Sequence, residues 1–271
     1  FLSNQKKANK IYIIIKMLKI IKIGGGIIDN EKDLEQFLKT FAQIEGPKLL
    51  VHGGGKGASK MLNQLGIEPK MIEGRRITDQ ATLEVVTGLY AGNLNKTIVS
   101  TLQKLGCNAL GLSGADGNAI QGIKRPVQTI DYGFVGDLNE HSVNQELFQL
   151  LIDQNITPVV CAITHDGNGQ LLNTNADTIA STIAVALAKH NNVELNFCFD
   201  KIGVLRDVND DATLIPEINE TLYLQLKEEG VIFEGMIPKL DNSFNVIKAG
   251  VKNVCLVHAR NINSEIKTIL C

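Results

Sequence analysis

Short apolar stretches alternate along the chain with longer segments in which apolar residues recur every three or four positions. The first stretch, residues 18–23, predicts a β-strand. The helical spacing that follows predicts a helix over residues 31–44, with Asp29 or Asn30 as its N-cap. This alternation is typical of βαβ units and indicates an α/β protein with a largely parallel sheet.

The same pattern continues to the C-terminus. Residues 119–137 break it with closely spaced Gly and Pro, which predicts hairpins, and residues 166–169 predict a turn between short strands. Since no long Pro-, Gly- or Ser-rich linker occurs, we expect two lobes that share one sheet. The further strands are expected at residues 48–51, 108–112, 157–163, 193–199 and 253–257, and the further helices at residues 56–65, 78–105 (interrupted by Gly88 and Gly92), 142–154, 176–189, 221–229, 237–249 and from residue 263 onward.

Composition and charge narrow the range of functions. A formal net charge of −2 over 271 residues gives no electrostatic footprint for nucleic acid or for an anionic membrane surface. The five cysteines are widely separated and form no C-x-x-C pair, which predicts reduced thiols and neither disulfides nor a zinc site. The apolar run at residues 11–15 is too short for a signal peptide or a membrane span, so we expect a cytoplasmic protein.

The N-terminal residues differ from the remainder of the chain. The chain begins at Phe1 rather than at a methionine, and residues 1–16 are rich in Lys, Asn and Ile without a helical period. We interpret these residues as an extension of unknown status. Met17 would then be the natural start, and residues 17–271 would form a single domain.

Two glycine-rich turns carry the first candidate chemistry. I-I-K-I-G-G-G places Lys22 before Gly24 and Gly25, and V-H-G-G-G-K places Gly54 and Gly55 after the next predicted strand. Neither turn is the G-x-x-x-x-G-K-[ST] phosphate loop. Both turns present backbone N–H groups where a strand ends and a helix begins, an arrangement suited to oxyanions. Two such turns and one lysine therefore indicate a phosphate site.

Lys22 itself has two interpretations. Burying an ammonium among apolar strand residues is costly without an anionic partner, and a lysine at the end of a strand commonly extends to solvent. The adjacent glycines favour the functional interpretation, because a residue without a side chain lets a ligand approach the backbone closely.

Polar segments later in the chain supply further candidates. N-T-N-A-D, with Asn173, Asn175 and Asp177, contains more capping residues than one helix start requires, so the surplus would orient a ligand or hold lysines. In G-R-R-I-T, after a predicted hairpin, one of Arg75 and Arg76 is expected at the surface. The other would hold a substrate carboxylate through a bidentate contact.

Two more segments lie where ligands commonly bind. D-K-I-G-V-L, residues 200–205, follows a buried strand, and open α/β sheets bind ligands at the ends of such strands. The alternative interpretation of this segment is an ordinary turn. E-G-M-I-P-K places Pro238 in the first turn of a predicted helix and Lys239 beside it. A lysine at a helix N-terminus opposes the helix dipole unless an anion binds there as well. The histidines show no metal-binding spacing, and neither G-x-S-x-G nor G-x-G-x-x-G occurs.

Taken in order, K-I-G-G-G, V-H-G-G-G-K, G-R-R-I-T, L-N-T-N-A-D, F-D-K-I-G-V-L and E-G-M-I-P-K resemble the amino-acid kinase superfamily, and within it the N-acetylglutamate kinases. The resemblance covers residues 17–271. It implies a three-layer αβα sandwich around a mainly parallel sheet. An N-terminal lobe of about residues 17–173 would bind the acylated amino acid, and a C-terminal lobe of about residues 174–271 would bind ATP.

The resemblance also implies roles for individual residues. Lys22 and Lys239 would stabilise the transferring phosphoryl group, and Asp177 would hold both lysines in position. The N–H donors would be Gly24, Gly25, Gly54 and Gly55, and the ligands of the substrate carboxylates would be Arg76 and Asn173. The nucleotide pocket would be lined by Asp200, Lys201, Ile202, Gly203, Val204, Leu205, Val231, Ile232 and Phe233.

The implied reaction is transfer of the γ-phosphoryl group of MgATP to the γ-carboxylate of N-acetyl-L-glutamate, a step of arginine biosynthesis. Because the nucleophile is already ionised, no general base is needed, and catalysis reduces to positioning and charge stabilisation. Mg²⁺ would be held mainly by the phosphates and water, since the sequence contains no evident carboxylate cage.

Other interpretations stay open. N-succinylglutamate would present the same glutamate carboxylates, with Arg75 or Lys70 for its extra carboxylate. Other acceptors in the superfamily are aminoadipate, glutamate, carbamate and nucleoside monophosphates, and the same fold would also serve a non-catalytic amino-acid sensor. Retention of Lys22, Asp177 and Lys239 together argues against a sensor. Since residues 1–16 lack the amphipathic helix associated in this family with arginine-inhibited hexamers, we expect an arginine-insensitive homodimer.

Overall fold

A computed structural model of the protein describes residues 17–72 and 75–271. The extension at residues 1–16 and Gly74 of the G-R-R-I-T motif lie outside the described residues. The strands are β1 (Leu18–Ile23), β2 (Lys48–His52), β3 (Met71–Ile72), β4 (Arg75–Arg76), β5 (Ala109–Leu112), β6 (Ile123–Lys124), β7 (Val135–Asp137), β8 (Thr157–Cys161), β9 (Ile163–His165), β10 (Leu171–Thr174), β11 (Val193–Phe199), β12 (Glu217–Ile218), β13 (Asn253–His258) and β14 (Thr268–Leu270). The helices are α1 (Gly25–Ile28), α2 (Glu31–Ala42), α3 (Gly57–Gln64), α4 (Gln80–Thr87), α5 (Asn95–Lys104), α6 (Gln145–Asp153), α7 (Ala176–Ala188), α8 (Glu220–Glu228) and α9 (Ile237–Lys248).

Eight strands form the central sheet, in the order β12-β14-β13-β11-β1-β2-β8-β5. β1 pairs in parallel with β11 on one side and with β2 on the other. β14 is antiparallel to β13, and the other neighbouring pairs of this sheet are parallel. The prediction of a mainly parallel sheet is confirmed.

Alternate residues of the central strands enter two cores, one on each face of the sheet. Leu18 and Ile20 of β1 belong to the core that contains α7, whereas Ile21 and Ile23 belong to the core that contains α2 and α5. All four side chains are at most 1% exposed. A strand buried on both faces needs apolar residues at nearly every position. Helices cover both faces, so the predicted αβα sandwich is confirmed.

A four-stranded sheet, β6-β7-β10-β9, and the hairpin β3–β4 complete the fold. The antiparallel pairs β6–β7 and β9–β10 confirm the hairpins predicted at residues 119–137 and around the turn at residues 166–169. The expectation that two arginines follow a hairpin is wrong. Arg75 and Arg76 are themselves the second strand, because they pair with Met71 and Ile72.

The interruption expected within residues 78–105 is confirmed, whereas the helix expected from residue 263 onward is wrong. The region of residues 78–105 is divided into α4, a π-helical segment at Gly88–Leu94 and α5, and the expected interruption thus has a definite conformation. The helix expected from residue 263 is replaced by the strand β14. Thr268 and Leu270 are fully buried while Ile269 is partly exposed, which is the period of a strand. The apolar positions there are three or four residues apart, which is also the spacing of a helical face, and the prediction of a helix was based on that spacing.

Candidate active site

The C-terminal ends of β1, β2 and β11 meet at one edge of the central sheet. From β1 the chain continues to β2 on one side, while β11 pairs with β1 on the other side, so the strand order reverses at this point. Open α/β sheets bind ligands in the crevice at such a point. Lys22 and the two glycine turns lie there.

The two glycine turns contact each other. A Cβ atom at Gly25 would lie 2.9 Å from Gly55 Cα, and Gly55 has a φ of +57°, which disfavours residues with a side chain. The Asp29 carboxylate accepts hydrogen bonds from the backbone N–H groups of Lys56 (2.9 and 3.0 Å) and Gly57 (3.3 Å). A side chain that follows the first turn therefore holds the second turn in place.

The role of Asp29 was not predicted from the sequence. Of the two expected caps, Asn30 is the one that caps α2, since its Oδ1 accepts from the N–H groups of Lys32 (3.0 Å) and Asp33 (3.3 Å). Asp29 is thus available to the neighbouring turn. Two capping residues in succession were the signal for it, because one helix start needs only one cap.

Lys22, at the end of β1, forms an ion pair with Asp177 at the start of α7 (Nζ to Oδ1, 2.7 Å). Their side chains are 15% and 36% exposed, so a ligand can still reach the pair. A Cβ atom at Gly24 would lie 3.6 Å from Lys22 Nζ, which places the ammonium against the first glycine turn. Asn175 caps α7 and accepts from the N–H groups of Asp177 (2.8 Å) and Thr178 (3.1 Å).

Lys239 lies in the first turn of α9, and its ammonium is 4.4 Å from the centre of the Phe199 ring. Removal of this ammonium from bulk water lowers the pKa of Lys239, and the positive charge of Lys22 lowers it further. The carboxylates of Asp177 and Asp200 act in the opposite direction. Lys22, Asp177 and Lys239 therefore form one electrostatic group.

A cavity of about 280 Å³ lies between the second glycine turn, the β3–β4 hairpin and the start of α7. Arg76 is 9% exposed, and its Nη2 donates to the Ser59 hydroxyl at 2.9 Å. Its Nη1 is buried and has no hydrogen-bond partner among the described residues. A buried, unpaired guanidinium nitrogen is costly, so this position favours an anionic ligand. The cavity is lined by Gly25, Gly53, Gly54, Gly55, Met71, Arg75, Arg76, Tyr90, Val135, Ala162, Asn173, Thr174, Asn175 and Ala176.

Asn173 and Tyr90 line this first cavity beside Arg76. Asn173 Nδ2 donates to the Thr78 hydroxyl at 3.0 Å, and that hydroxyl donates to the Arg76 carbonyl at 2.8 Å. The ring of Tyr90 lies directly against Gly54, where any side chain would overlap it. Burial raises the pKa of the Tyr90 phenol, and the adjacent Arg76 lowers it.

Tyr90 is the second residue of the site that was not predicted from the sequence. It lies in the π-helical segment, between Gly88 and Gly92. Segments of this kind occur frequently at functional sites because they turn side chains out of the regular helical register. The two glycines within an otherwise helical pattern were the available signal.

A second cavity, of about 290 Å³, lies beside the Lys22–Asp177 pair. It shares Arg75 and Asn175 with the first cavity. Arg75 is partly exposed and Arg76 is buried, so Arg75 is the arginine of the pair that lies nearer the surface. The second cavity is lined by Arg75, Asn175, Asp177, Thr178, Phe197, Phe199, Pro238, Lys239 and Asn242.

The residues expected around a nucleotide are dispersed. Asp200 lies against Gly26 and lines a smaller cavity at the ends of β11 and β13. Lys201 is exposed, and its ammonium donates to the Val208 carbonyl at 2.8 Å. Phe233 is 56% exposed.

The remaining members of that set contribute to packing. Val204, Leu205 and Ile232 are buried, and the Val204 N–H donates to the Thr268 hydroxyl at 2.8 Å. Gly203 is in close contact with Thr268, and Ile202 and Val231 are partly buried. A role of this set in nucleotide binding stays a prediction.

Known proteins identify the class to which this fold and site belong. Residues 17–258 match the amino acid kinase family, and the chain belongs to that family. It is 55% identical to the acetylglutamate kinase of Parabacteroides distasonis over 249 residues, which is 92% of this chain and 97% of that protein. It is 53% identical to the acetylglutamate kinase of Phocaeicola vulgatus over 253 residues, or 93% of this chain and 98% of that protein.

The fold also matches a solved structure of low sequence identity. The carbamate kinase of Giardia lamblia, bound to AMP-PNP, superposes with a TM-score of 0.66 at 17% identity, over 94% of this chain and 98% of that one. This similarity concerns the fold alone. The resemblance inferred from the six motifs, to the superfamily and to its N-acetylglutamate kinases, is confirmed.

Proposed function

We propose that the protein transfers the γ-phosphoryl group of ATP to the side-chain carboxylate of N-acetyl-L-glutamate, a step of arginine biosynthesis. One observation carries the proposal. Arg76, whose buried Nη1 has no hydrogen-bond partner among the described residues, lines a cavity that shares two wall residues with the cavity beside Lys22, Asp177 and Lys239. An anionic amino acid in the first cavity would thus adjoin a phosphoryl group in the second. The name of the relatives at 53–55% identity supports this substrate.

The reaction needs few protein groups. A carboxylate oxygen attacks the γ-phosphorus, the bond from phosphorus to the β,γ-bridging oxygen breaks, and ADP leaves. The carboxylate is ionised at neutral pH, so no general base is required. Charge on the phosphoryl oxygens is stabilised by ammonium and N–H groups fixed around them. Lys22 and Lys239 would supply the ammonium groups, with Asp177 holding both.

The other predicted roles complete the proposal. Arg76 and Asn173 bind the substrate's carboxylate groups within an N-terminal lobe of residues 17–173. Gly24, Gly25, Gly54 and Gly55 provide N–H donors between the two cavities. The segments at residues 200–205 and 231–233 border the nucleotide in a C-terminal lobe of residues 174–271.

We propose MgATP as the phosphoryl donor. Among the described residues, no group of three or more His, Cys, Asp or Glu side chains could hold a metal ion. The magnesium ion would therefore arrive with the substrate, bound to phosphate oxygens and water.

The experiment is a panel of acceptors with ATP, in which ADP is measured and the acyl phosphate is trapped as its hydroxamate. N-acetylglutamate should give both products in equal amounts. Aminoadipate, glutamate, carbamate and nucleoside monophosphates should give neither. Binding of N-acetylglutamate without ADP formation would contradict the proposal and would identify an amino-acid sensor.

A second substrate, N-succinylglutamate, is favoured by one observation. Arg75 lines the same cavity as Arg76, so a second guanidinium is present for an additional carboxylate. The panel therefore includes N-succinylglutamate at matched concentrations. A higher kcat/KM for the succinyl compound, reduced selectively by Arg75→Ala, would establish it as the substrate.

We further propose a cytoplasmic homodimer. In the part of the chain that the structure describes, no helix combines the length and apolar character of a membrane span. The central sheet ends at β5, whose Leu110 is 41% exposed, and an open edge of this kind is suited to pairing with a second copy. Light scattering tests the assembly: a monomer or a hexamer would contradict it.

A further inference from the structure

A buried polar network underlies the second glycine turn. His52, the last residue of β2, is fully buried. Its Nδ1 lies 2.9 Å from the carbonyl oxygen of Gly53, and its Nε2 lies 3.0 Å from Nδ2 of Asn95. The same Asn95 nitrogen donates to the Val159 carbonyl at 2.9 Å, so the network joins β2, β8 and α5.

The partners select one state of the imidazole. The Gly53 carbonyl can only accept a hydrogen bond, so Nδ1 carries the proton. Asn95 Nδ2 can only donate, so Nε2 is the acceptor. The Asn95 oxygen in turn accepts from the Lys96 ammonium at 3.2 Å, which fixes the orientation of the amide. Burial lowers the pKa of His52 to about 4, in agreement with a neutral ring.

This hydrogen bond orients the peptide group between Gly53 and Gly54. In a trans peptide the C=O and N–H bonds point in opposite directions. A carbonyl directed at the imidazole therefore points the Gly54 N–H away from His52. Gly54 lines the first cavity, and the ring of Tyr90 packs against it.

The π-helical segment connects these contacts. It carries Tyr90, and its last residue, Leu94, directly precedes Asn95. The π-helical segment thus contacts the turn through the Tyr90 ring, and the residue that directly follows it, Asn95, holds the imidazole. A donor constrained by both contacts has little freedom to turn away from a ligand.

We propose that His52 and Asn95 are positioning residues that aim the Gly54 N–H at the oxyanion in the active site. The inference rests on the proposed function, because it assigns the glycine turn to phosphoryl transfer. Neither side chain contacts the reacting atoms. Both act by fixing the direction of a backbone donor, whose contribution depends on its alignment.

Two substitutions of His52 separate its two hydrogen bonds. Asparagine places an amide nitrogen near the position of Nδ1 and keeps the donor to Gly53. Glutamine places its amide near the position of Nε2 and keeps the contact with Asn95. His52→Asn should retain most of kcat, whereas His52→Gln should lower kcat by about 10- to 100-fold, the effect of misplacing a catalytic group by about 1 Å.

The KM values for the amino acid and ATP should change little in either variant. Asn95→Ala removes the hydrogen bond to the imidazole but keeps the imidazole itself, and it should also lower kcat. If His52→Gln does not fold, Asn95→Ala tests the inference in its place. His165→Gln is the matched control. This partly buried histidine of β9 accepts a hydrogen bond from the Gly167 N–H at 3.1 Å, and its replacement should leave kcat unchanged.

A second measurement does not depend on turnover. In protein labelled with ¹⁵N-glycine, the Gly54 amide resonance should be similar in the wild type and His52→Asn and displaced in His52→Gln. Absence of wild-type turnover would refute the proposed function, and the resonances would still test the positioning. Equal kcat in the wild type and His52→Gln, or an undisplaced Gly54 resonance, would overturn the inference.

Discussion

Acidification should destabilise the protein through His52. Burial lowers the pKa of this imidazole to about 4, whereas a histidine in an unfolded chain titrates near 6.5. Between these values the unfolded chain binds a proton that the folded protein does not bind, so the free energy of unfolding rises with pH. The contribution of His52 is fully present above pH 6.5 and is lost as the pH falls toward 4.

The size of the effect follows from the two pKa values. The displacement from 6.5 to about 4, at 1.36 kcal/mol per pH unit, corresponds to about 3 kcal/mol. A folded domain is stable by about 5–15 kcal/mol, so protonation of this single group on acidification would remove a substantial part of that stability. Because His52 is fully buried, screening by solvent does not reduce this free energy.

The assay is urea unfolding of the wild type and His52→Asn at several pH values between 7 and 4.5. Carboxylates whose pKa values are lowered by hydrogen bonds, such as those of Asp79 and Asp166, titrate equally in both proteins. The difference between the two unfolding free energies therefore isolates His52. It should shrink by about 2–3 kcal/mol across this range. Two curves that remain parallel would refute the reasoning, since they would show that His52 has the same pKa in the folded and unfolded chain.

Three further predictions concern the site and the assembly. Lys22→Ala or Lys239→Ala should lower kcat by about 10² to 10³ with little change in KM for the amino acid, by analogy with the loss of one oxyanion donor; steady-state kinetics should show no such effect for Lys248→Ala, an exposed lysine of α9. Arg76→Lys keeps the charge but loses the planar fork, so it should raise KM for the amino acid far more than KM for ATP, and the reverse pattern would move Arg76 to the nucleotide site. Deletion of residues 1–16 should leave activity and dimerisation unchanged and millimolar arginine should not inhibit; sigmoidal inhibition that disappears on deletion would contradict this.

Much of the central architecture was predictable from the sequence because local and global signals coincide there. The strand predicted at residues 18–23 is β1, and burial on both of its faces explains its apolar composition. The glycines after β1 and β2 indicated close backbone approach, and Gly25 and Gly55 do approach closely. In such regions the composition directly reflects the environment of each residue.

Features that depend on long-range contacts were not predictable in this way. The Asp29 carboxylate binds N–H groups 27 and 28 residues away. Two capping residues in succession show that one of them is surplus, but the local sequence does not specify the distant turn as its partner. Residues 268–270 form the strand β14 because they pair with β13, although the same apolar spacing fits a helix. Tyr90 reaches the first cavity only because the helix changes its hydrogen-bond register around it. Each feature is decided by tertiary packing rather than by local preference.

The position of β1 also has a consequence for how the protein opens. Amides in a central strand with partners on both sides exchange with solvent mainly through global unfolding, whereas a two-stranded hairpin opens at a much smaller free energy. Lys22 belongs to the first kind of element, and Arg75 and Arg76 belong to the second. Arg76, which would hold a carboxylate of the amino acid, therefore sits on an element that opens readily, and Lys22, which would contact the phosphoryl group, sits on an element that opens only with the whole fold. Exchange of substrate and product can then proceed through local opening of the hairpin, while the geometry around Lys22 persists from one turnover to the next.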